Sequence, residues 1–195
     1  MLMFRSVTFP LRVSLLRMAT VACALSVLSA CSTVRLISDY DEETDKQLTA
    51  LKKASDTHFN SMLAELPISN KLARSPTNSY DAKKAFYAEF AEKLSLLEFR
   101  TQSMPKNSQT QDLLSKLRAA VLLSEKDLEV CVREGLPDED ENTKLSSMQA
   151  LHCLKRNKPA GPVRDLLMPS QRSIDQLLGQ ALTLELKKKQ GTETK

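Results

Sequence analysis

Glycine is the residue whose distribution most constrains the fold of this chain. The 195-residue sequence holds four glycines, at positions 135, 161, 179 and 191, and none before residue 135. Phosphate-binding loops and most tight β-hairpin turns need glycine, because their backbones adopt conformations that other residues disfavour. The first two thirds of the chain therefore exclude a Rossmann-type or P-loop nucleotide site.

Residues 1–30 have the order of a secretory signal peptide: three arginines without an acidic residue, then an apolar run that begins at Met18. The run is too short to cross a bilayer, and its length is typical of a cleaved signal. It ends in Leu28-Ser29-Ala30-Cys31, which resembles a bacterial lipobox. That motif implies that the Cys31 thiol receives a diacylglycerol and that cleavage precedes it. The alternative is a plain signal peptide in which Cys31 is incidental.

These segments predict the organisation of the whole chain. We expect a signal peptide at 1–30, a lipidated tether at 31–38, a helical domain at 39–189 and a frayed tail at 190–195. The formal net charge of +4 falls to about +1 once the three signal arginines are removed, which leaves nothing to favour a nucleic-acid partner. By analogy with enterobacterial sorting, Ser32 after the cysteine favours the outer membrane.

Two cysteines remain after the signal and the proposed anchor are set aside, Cys131 and Cys153. In an oxidising compartment they predict a disulfide, with a stabilisation of about 3 kcal/mol on the chain-entropy argument. Two buried free thiols are the alternative. Zinc fits poorly, because these cysteines and His152 form no C-x-x-C pair and lack a clear fourth ligand.

Apolar residues recur at three- and four-residue steps through the mature chain and predict helices. The first is capped by Ser38 or Asp39 and ends at Pro67. We expect further helices at about 81–103, 110–134, 140–156 and 162–189. In the last one, Pro169 either kinks the helix or opens a new one. The fold class is therefore all-α: an antiparallel bundle of about four main helices with a short extra helix.

Three stretches resemble an uncharacterised family of small bacterial helical envelope proteins, many of them lipoproteins. They are ISDYDEETDKQLTALKK (37–53), AFYAEFAEKLSLLEFRTQSMPKN (85–107) and LGQALTLELKKKQG (178–191). The resemblance implies a helical bundle in the cell envelope. It implies no activity and assigns no functional residue.

Two acidic clusters are candidate metal sites. Asp39, Asp41, Glu43 and Asp45 alternate like a calcium loop, but Thr44 and Ala50 stand where that loop needs glycine and glutamate. A helix cap that complements the helix dipole is the favoured interpretation. The run 138–141 could bind a divalent cation weakly, and a solvated turn is the favoured interpretation.

No catalytic constellation emerges from the remaining candidates. His152 and Cys153 are neighbours, and on a helix their side chains point about 100° apart, so they do not form a nucleophile–base pair. Lys187, Lys188 and Lys189 suit a helix C-terminus and could touch acidic lipids or the cell wall. Four aromatic residues of the second predicted helix are expected to lie in the core rather than in a ligand pocket; they are Phe86, Tyr87, Phe90 and Phe99.

The leading hypothesis is a lipid-anchored envelope lipoprotein with a structural or protein-interaction role, which is not an enzyme and needs no cofactor. Cys31 would attach it to the outer membrane, on the periplasmic face, and another envelope protein would be its partner. The second hypothesis is a periplasmic carrier of a small ligand or metal, which would use the bundle core or the acidic segment.

Overall fold

Five α-helices account for most of the structure, a computed structural model that describes residues 38–70, 73–134, 147–152 and 161–193. They are α1 (Glu42–Ala64), α2 (Tyr80–Gln102), α3 (Ser108–Val121), α4 (Glu125–Glu134) and α5 (Arg164–Glu193), with 3-10 turns at Pro76–Asn78 and Gln149–His152. These residues contain no strand, and the predicted all-α bundle is confirmed. The chain divides into two units, and every described residue belongs to the one that spans 37–195.

Four helices pack in a closed ring, in which α1 contacts α2, α2 contacts α3, α3 contacts α5 and α5 contacts α1. Ion pairs and hydrogen bonds between helix ends fix their directions. Arg100 near the end of α2 pairs with Asp41 at the start of α1. Arg164 at the start of α5 donates to the carbonyls of Leu63 and Leu66 at the end of α1. The order is therefore up, down, up, down.

The core follows from the sequence periodicity of these four helices. Each turns its apolar positions inward, and burial of a large apolar side chain contributes about 1.5–3 kcal/mol. The largest fully buried side chains are those of Leu48, Leu51, Phe59, Met62, Tyr87, Phe90, Leu94, Leu97, Leu114, Leu117, Met148 and Leu167. These side chains belong to one hydrophobic core cluster.

The first helix begins later than predicted. Asp41, rather than Ser38 or Asp39, is its N-cap and accepts a hydrogen bond from the Thr44 amide at 3.1 Å. Ser38 instead joins the loop after α2, because its amide donates to the Lys106 carbonyl at 3.2 Å. Lys106 has a positive φ of 61°, which a residue with a side chain adopts only at a cost.

The predicted third helix, 110–134, is wrong as a single element, because α3 ends at Val121 and α4 begins at Glu125. Leu122 adopts an extended backbone, and the next amide, that of Leu123, donates to the Gln149 side chain at 2.8 Å. Ser124 then caps α4 by accepting from the Asp127 amide. The break thus depends on a residue 26 positions away, which helical periodicity cannot reveal.

The remaining helices differ from the predicted ones in where they begin and end. Of the short helix expected at 140–156, the structure describes residues 147–152, in which Gln149–His152 form a 3-10 turn, and the rest lies outside the described part. The last helix contains Pro169 and continues to Glu193, beyond the predicted end at 189. Pro169 therefore opens no separate helix.

Candidate functional site

A groove between α3 and α5 is the candidate functional site. It encloses about 580 Å³, and its lining includes three glutamine side chains: Gln109 from α3, and Gln176 and Gln180 from α5. Leu113 and Leu184 add partly buried apolar surface. Amides that can donate and accept beside two leucines suit a polypeptide, whose backbone needs both kinds of partner.

Gly179 keeps the groove open along α5. A Cβ atom built on this residue would meet nothing within 4 Å, so the space above its backbone is unfilled. Within the groove lining, Asp112 and Lys187 bring one carboxylate and one ammonium group. Asp112 also pairs with Lys116 at 2.6 Å on the surface of α3. The groove therefore has an apolar, glycine-containing part and a mixed-charge rim.

The three consecutive lysines near the end of α5 do not share a surface. Lys187 and Lys189 are exposed, whereas Lys188 is 5% exposed and points inward. Lys189 lies 5.7 Å from the centroid of the Tyr40 ring, within the range of a cation–π interaction. At most two of these three lysines are therefore available for the predicted contact with acidic lipids.

Lys188 belongs to a buried ion pair with Glu185, whose side chain has no exposed surface. The Lys188 ammonium donates to Glu185 at 2.5 Å, to the Asn107 side chain at 2.7 Å and to the Thr110 hydroxyl at 3.0 Å. Ser38 donates to the same Asn107 oxygen. This cluster joins α3, α5, the loop after α2 and the first described residue of the chain.

The spacing of Glu185 and Lys188 in the sequence already indicates that both side chains are buried. Glu185 and Lys188 continue the three- and four-residue spacing of the buried residues Ile174, Leu178 and Ala181. A charged residue that falls on the apolar stripe of a helix is buried and needs a partner. The run of lysines had instead suggested a solvated helix end.

The acidic residues near position 41 act separately, as the cap interpretation expects. Asp41 makes two hydrogen bonds to the Arg100 guanidinium, which hold the pKa of that carboxyl far below its usual range. Glu43 accepts from Gln47, and Asp45 accepts from the Tyr40 hydroxyl. Within the described residues, no three His, Cys, Asp or Glu side chains form a group that could hold a metal ion. The acidic run 138–141 lies outside these residues.

The two histidines meet at the other end of the bundle, on either side of Tyr87. The Tyr87 ring lies 5.8 Å from His58 and 5.3 Å from His152, edge to face in both cases. Phe86 stacks on His58 at 3.5 Å. Tyr87 and Phe90 therefore belong to the core, as predicted, and Phe86 is partly buried against it. Phe99 does not, because it is 73% exposed.

Of the predicted site residues, only Cys131 lies in the described part. It is 5% exposed on α4. Cys31 and Cys153 fall outside, so the lipid attachment and the Cys131–Cys153 disulfide remain predictions. No described helix is long and apolar enough to span a membrane.

No family model, curated protein or solved structure matches the chain. The resemblance to small envelope lipoproteins therefore stays a prediction.

Proposed function

We propose that this protein is a lipid-anchored lipoprotein of the bacterial envelope, with a protein-interaction role and no catalytic activity. The observation that carries the proposal is the sequence Leu28-Ser29-Ala30-Cys31 at the end of a basic and then apolar segment. Acyl chains on Cys31 would hold the protein at the outer membrane, because each buried methylene contributes about 0.8 kcal/mol. The bundle would then lie on the periplasmic face.

The contacts of Ser38 support a short tether. Ser38, the last residue of the proposed tether 31–38, is 9% exposed and bonds to the loop after α2. An extended chain covers at most about 3.6 Å per residue, which limits the distance from Cys31 to Ser38 to about 25 Å. The end of the bundle that carries Ser38 would stay close to the lipid headgroups.

The groove between α3 and α5 extends to this same end. Gln109 in its lining is two residues from Asn107, which binds Ser38. We assign the groove to a polypeptide segment of a second envelope protein. Its apolar side chains would contact Leu113 and Leu184, and its polar groups would pair with the glutamine amides. A partner that is itself held at the membrane would meet the groove without spanning the periplasm.

The anchor is tested by replacing the acceptor thiol. We expect Cys31→Ser to remain uncleaved or to be released in soluble form, and to lack the mass of the lipid. Cys23→Ser is the matched control, since it removes a thiol from the same signal segment and leaves the lipobox intact. The anchor proposal fails if the Cys31→Ser protein carries the same added mass and fractionates with membranes as the wild type does.

The groove is tested by filling it. Gly179→Leu places a side chain into open space, whereas Ala88→Leu adds the same side chain to an exposed site on α2, away from the groove. A photo-crosslinker at Thr183 should capture one envelope polypeptide in intact cells, and Gly179→Leu but not Ala88→Leu should abolish the product. A product that both variants retain, or no product at Thr183, overturns the assignment.

A further inference from the structure

A short segment between α4 and α5 is entirely buried, although it belongs to none of the long helices. Its six residues, 147–152, are each at most 4% exposed. They are Ser147, Met148, Gln149, Ala150, Leu151 and His152. We call this stretch the docked segment. It occupies the end of the bundle opposite Ser38, where α2 begins and α3 ends.

Polar contacts join both ends of the docked segment to the bundle. The Met148 amide donates to the Ala120 carbonyl at 2.9 Å, and Gln149 accepts from the Leu123 amide at 2.8 Å. At the other end, Nδ1 of His152 bonds the Asn78 carbonyl at 2.7 Å. Because a carbonyl only accepts, this nitrogen carries the proton, and Nε2 of the neutral ring does not.

The contact is also the least satisfied part of the described core. Eight buried side-chain atoms there have no hydrogen-bond partner, and four of them surround this segment. These are Nε2 of His58, Oδ1 of Asn78, the hydroxyl of Tyr87 and Nε2 of His152. Each buried polar group without a partner lowers the free energy gained by docking. The four long helices contact one another in a closed ring of which this segment is not a part, although Met148 adds one side chain to their core.

The docked state favours the neutral ring of His152. Burial lowers the pKa of His152 to about 4, and burial also lowers the pKa of His58 to about 3. Lys83 of α2 adds to both effects, and His152 adds to that on His58. Among the described residues, Tyr80 and Tyr87 of α2 also face the segment. A proton on His152 would therefore stand near a lysine, without an acceptor at Nε2.

We propose that the docked segment is a separately releasable element, which leaves the bundle in mildly acidic medium while the four long helices remain folded. The proposal is independent of the lipid anchor. It goes beyond an interaction role, because it gives the protein a response to the acidity of its surroundings. Release would uncover the rings of Tyr80, Tyr87 and His58 at this end of the bundle.

The sign and size of the effect follow from linkage. In the released segment His152 has its ordinary pKa of about 6.5, so it takes up a proton more readily there than when docked. Docking therefore weakens as pH falls below about 6.5 and stops weakening below the docked value of about 4. Between pH 7 and pH 5, His152 alone lowers the docking constant about twenty-fold. Asp41 keeps its ion pair in this range, because its pKa is lowered further.

Amide hydrogen exchange of the mature protein in a mild detergent tests the proposal. After correction for intrinsic exchange, peptides that cover 147–152 should lose about twenty-fold in protection from pH 7 to pH 5. Peptides from α1 and from the second half of α5 should keep theirs. Near-ultraviolet circular dichroism offers a second readout, since the protein has three tyrosines and no tryptophan and two of the tyrosines contact the segment.

A variant separates titration from structural loss. His152→Asn keeps a donor toward the Asn78 carbonyl and cannot take up a proton in this range, so protection of the segment should no longer depend on pH. If that variant docks poorly, His58→Phe should reduce the pH dependence without removing it. The proposal is overturned if the wild-type segment is equally protected at both pH values, if all helices lose protection with it, or if His152→Asn keeps the full pH dependence.

Discussion

The buried pair Glu185–Lys188 makes a quantitative prediction about single and paired substitutions. Replacing Lys188 with Met leaves the Glu185 carboxylate in the core with the Thr110 hydroxyl as a remaining donor. Loss of one member of a buried ion pair costs about 3–5 kcal/mol. For a protein of this length that corresponds to a fall in Tm of about 6–20 °C. Glu185→Met should cost a similar amount, because it leaves the ammonium without its carboxylate.

The loss of unfolding free energy in the double variant should be smaller than the sum of the losses in the two single variants. With both positions changed to Met, no uncompensated charge remains, and an apolar pair of similar volume is often neutral or stabilising. Asn107 still accepts from Ser38. We therefore expect the double variant to unfold within about 2 kcal/mol of the wild type, with a coupling energy of about 3 kcal/mol or more in the cycle.

Urea unfolding followed by far-ultraviolet circular dichroism measures all four proteins of the cycle. The exposed pair Glu89–Lys93 on α2 is the matched control, since the side chains are 63% and 45% exposed. Lys93→Met should change the unfolding free energy by less than about 0.5 kcal/mol. A loss below about 1 kcal/mol for Lys188→Met, or additive losses in the double variant, would refute the reasoning from burial.

Three further predictions concern the backbone, the helix cap and the cysteines. Gly161→Ala should cost about 1–3 kcal/mol in urea unfolding, because its Cβ would lie 2.8 Å from the Asn78 carbonyl oxygen. Gly179→Ala should instead stabilise the protein by about 1 kcal/mol, since its Cβ meets nothing within 4 Å. Equal changes in unfolding free energy for the two variants would contradict the geometry. Asp41→Ala should lower the free energy of unfolding by about 2 kcal/mol at pH 7, because it removes the helix cap and the ion pair with Arg100. Since the pKa of Asp41 is lowered, this contribution persists at pH 5 and is lost only in stronger acid. Peptide mapping without reductant should yield a fragment in which Cys131 is joined to Cys153, and recovery of both as alkylated thiols from an unreduced sample would exclude the disulfide.

Local patterns made the first two helices predictable. Their apolar spacing, Pro67 and the Met104-Pro105 pair are short-range signals, and the observed ends of α2 lie within one residue of the predicted ones. The break after Val121 was not predictable in this way, because residues of the docked segment bond to both sides of it. A contact between distant segments overrides an uninterrupted helical pattern when it supplies partners for the freed backbone groups.

Some features of the candidate site could likewise be predicted from the sequence, and others could not. The acidic cap could be anticipated from residues 39–45, although its position shifted to Asp41. The groove could not, since it depends on which helices are neighbours in the ring and on the empty space over Gly179. Phe99 was expected in the core as a residue that flanks the apolar stripe of α2, but it falls on the outer face of this helix, opposite Phe90 and Leu97.

The hydrogen bonds of Ser38 determine how a mechanical pull on the tether would enter the fold. The residue is held by the Lys106 carbonyl and by Asn107, in the loop that joins two neighbouring helices, and Asn107 also accepts from Lys188 of α5. Tension from the N-terminal side would thus be divided among three helices before it reached the first turn of α1. Such an attachment resists peeling of that helix, and a pulling experiment should register its rupture as one event rather than as stepwise unwinding.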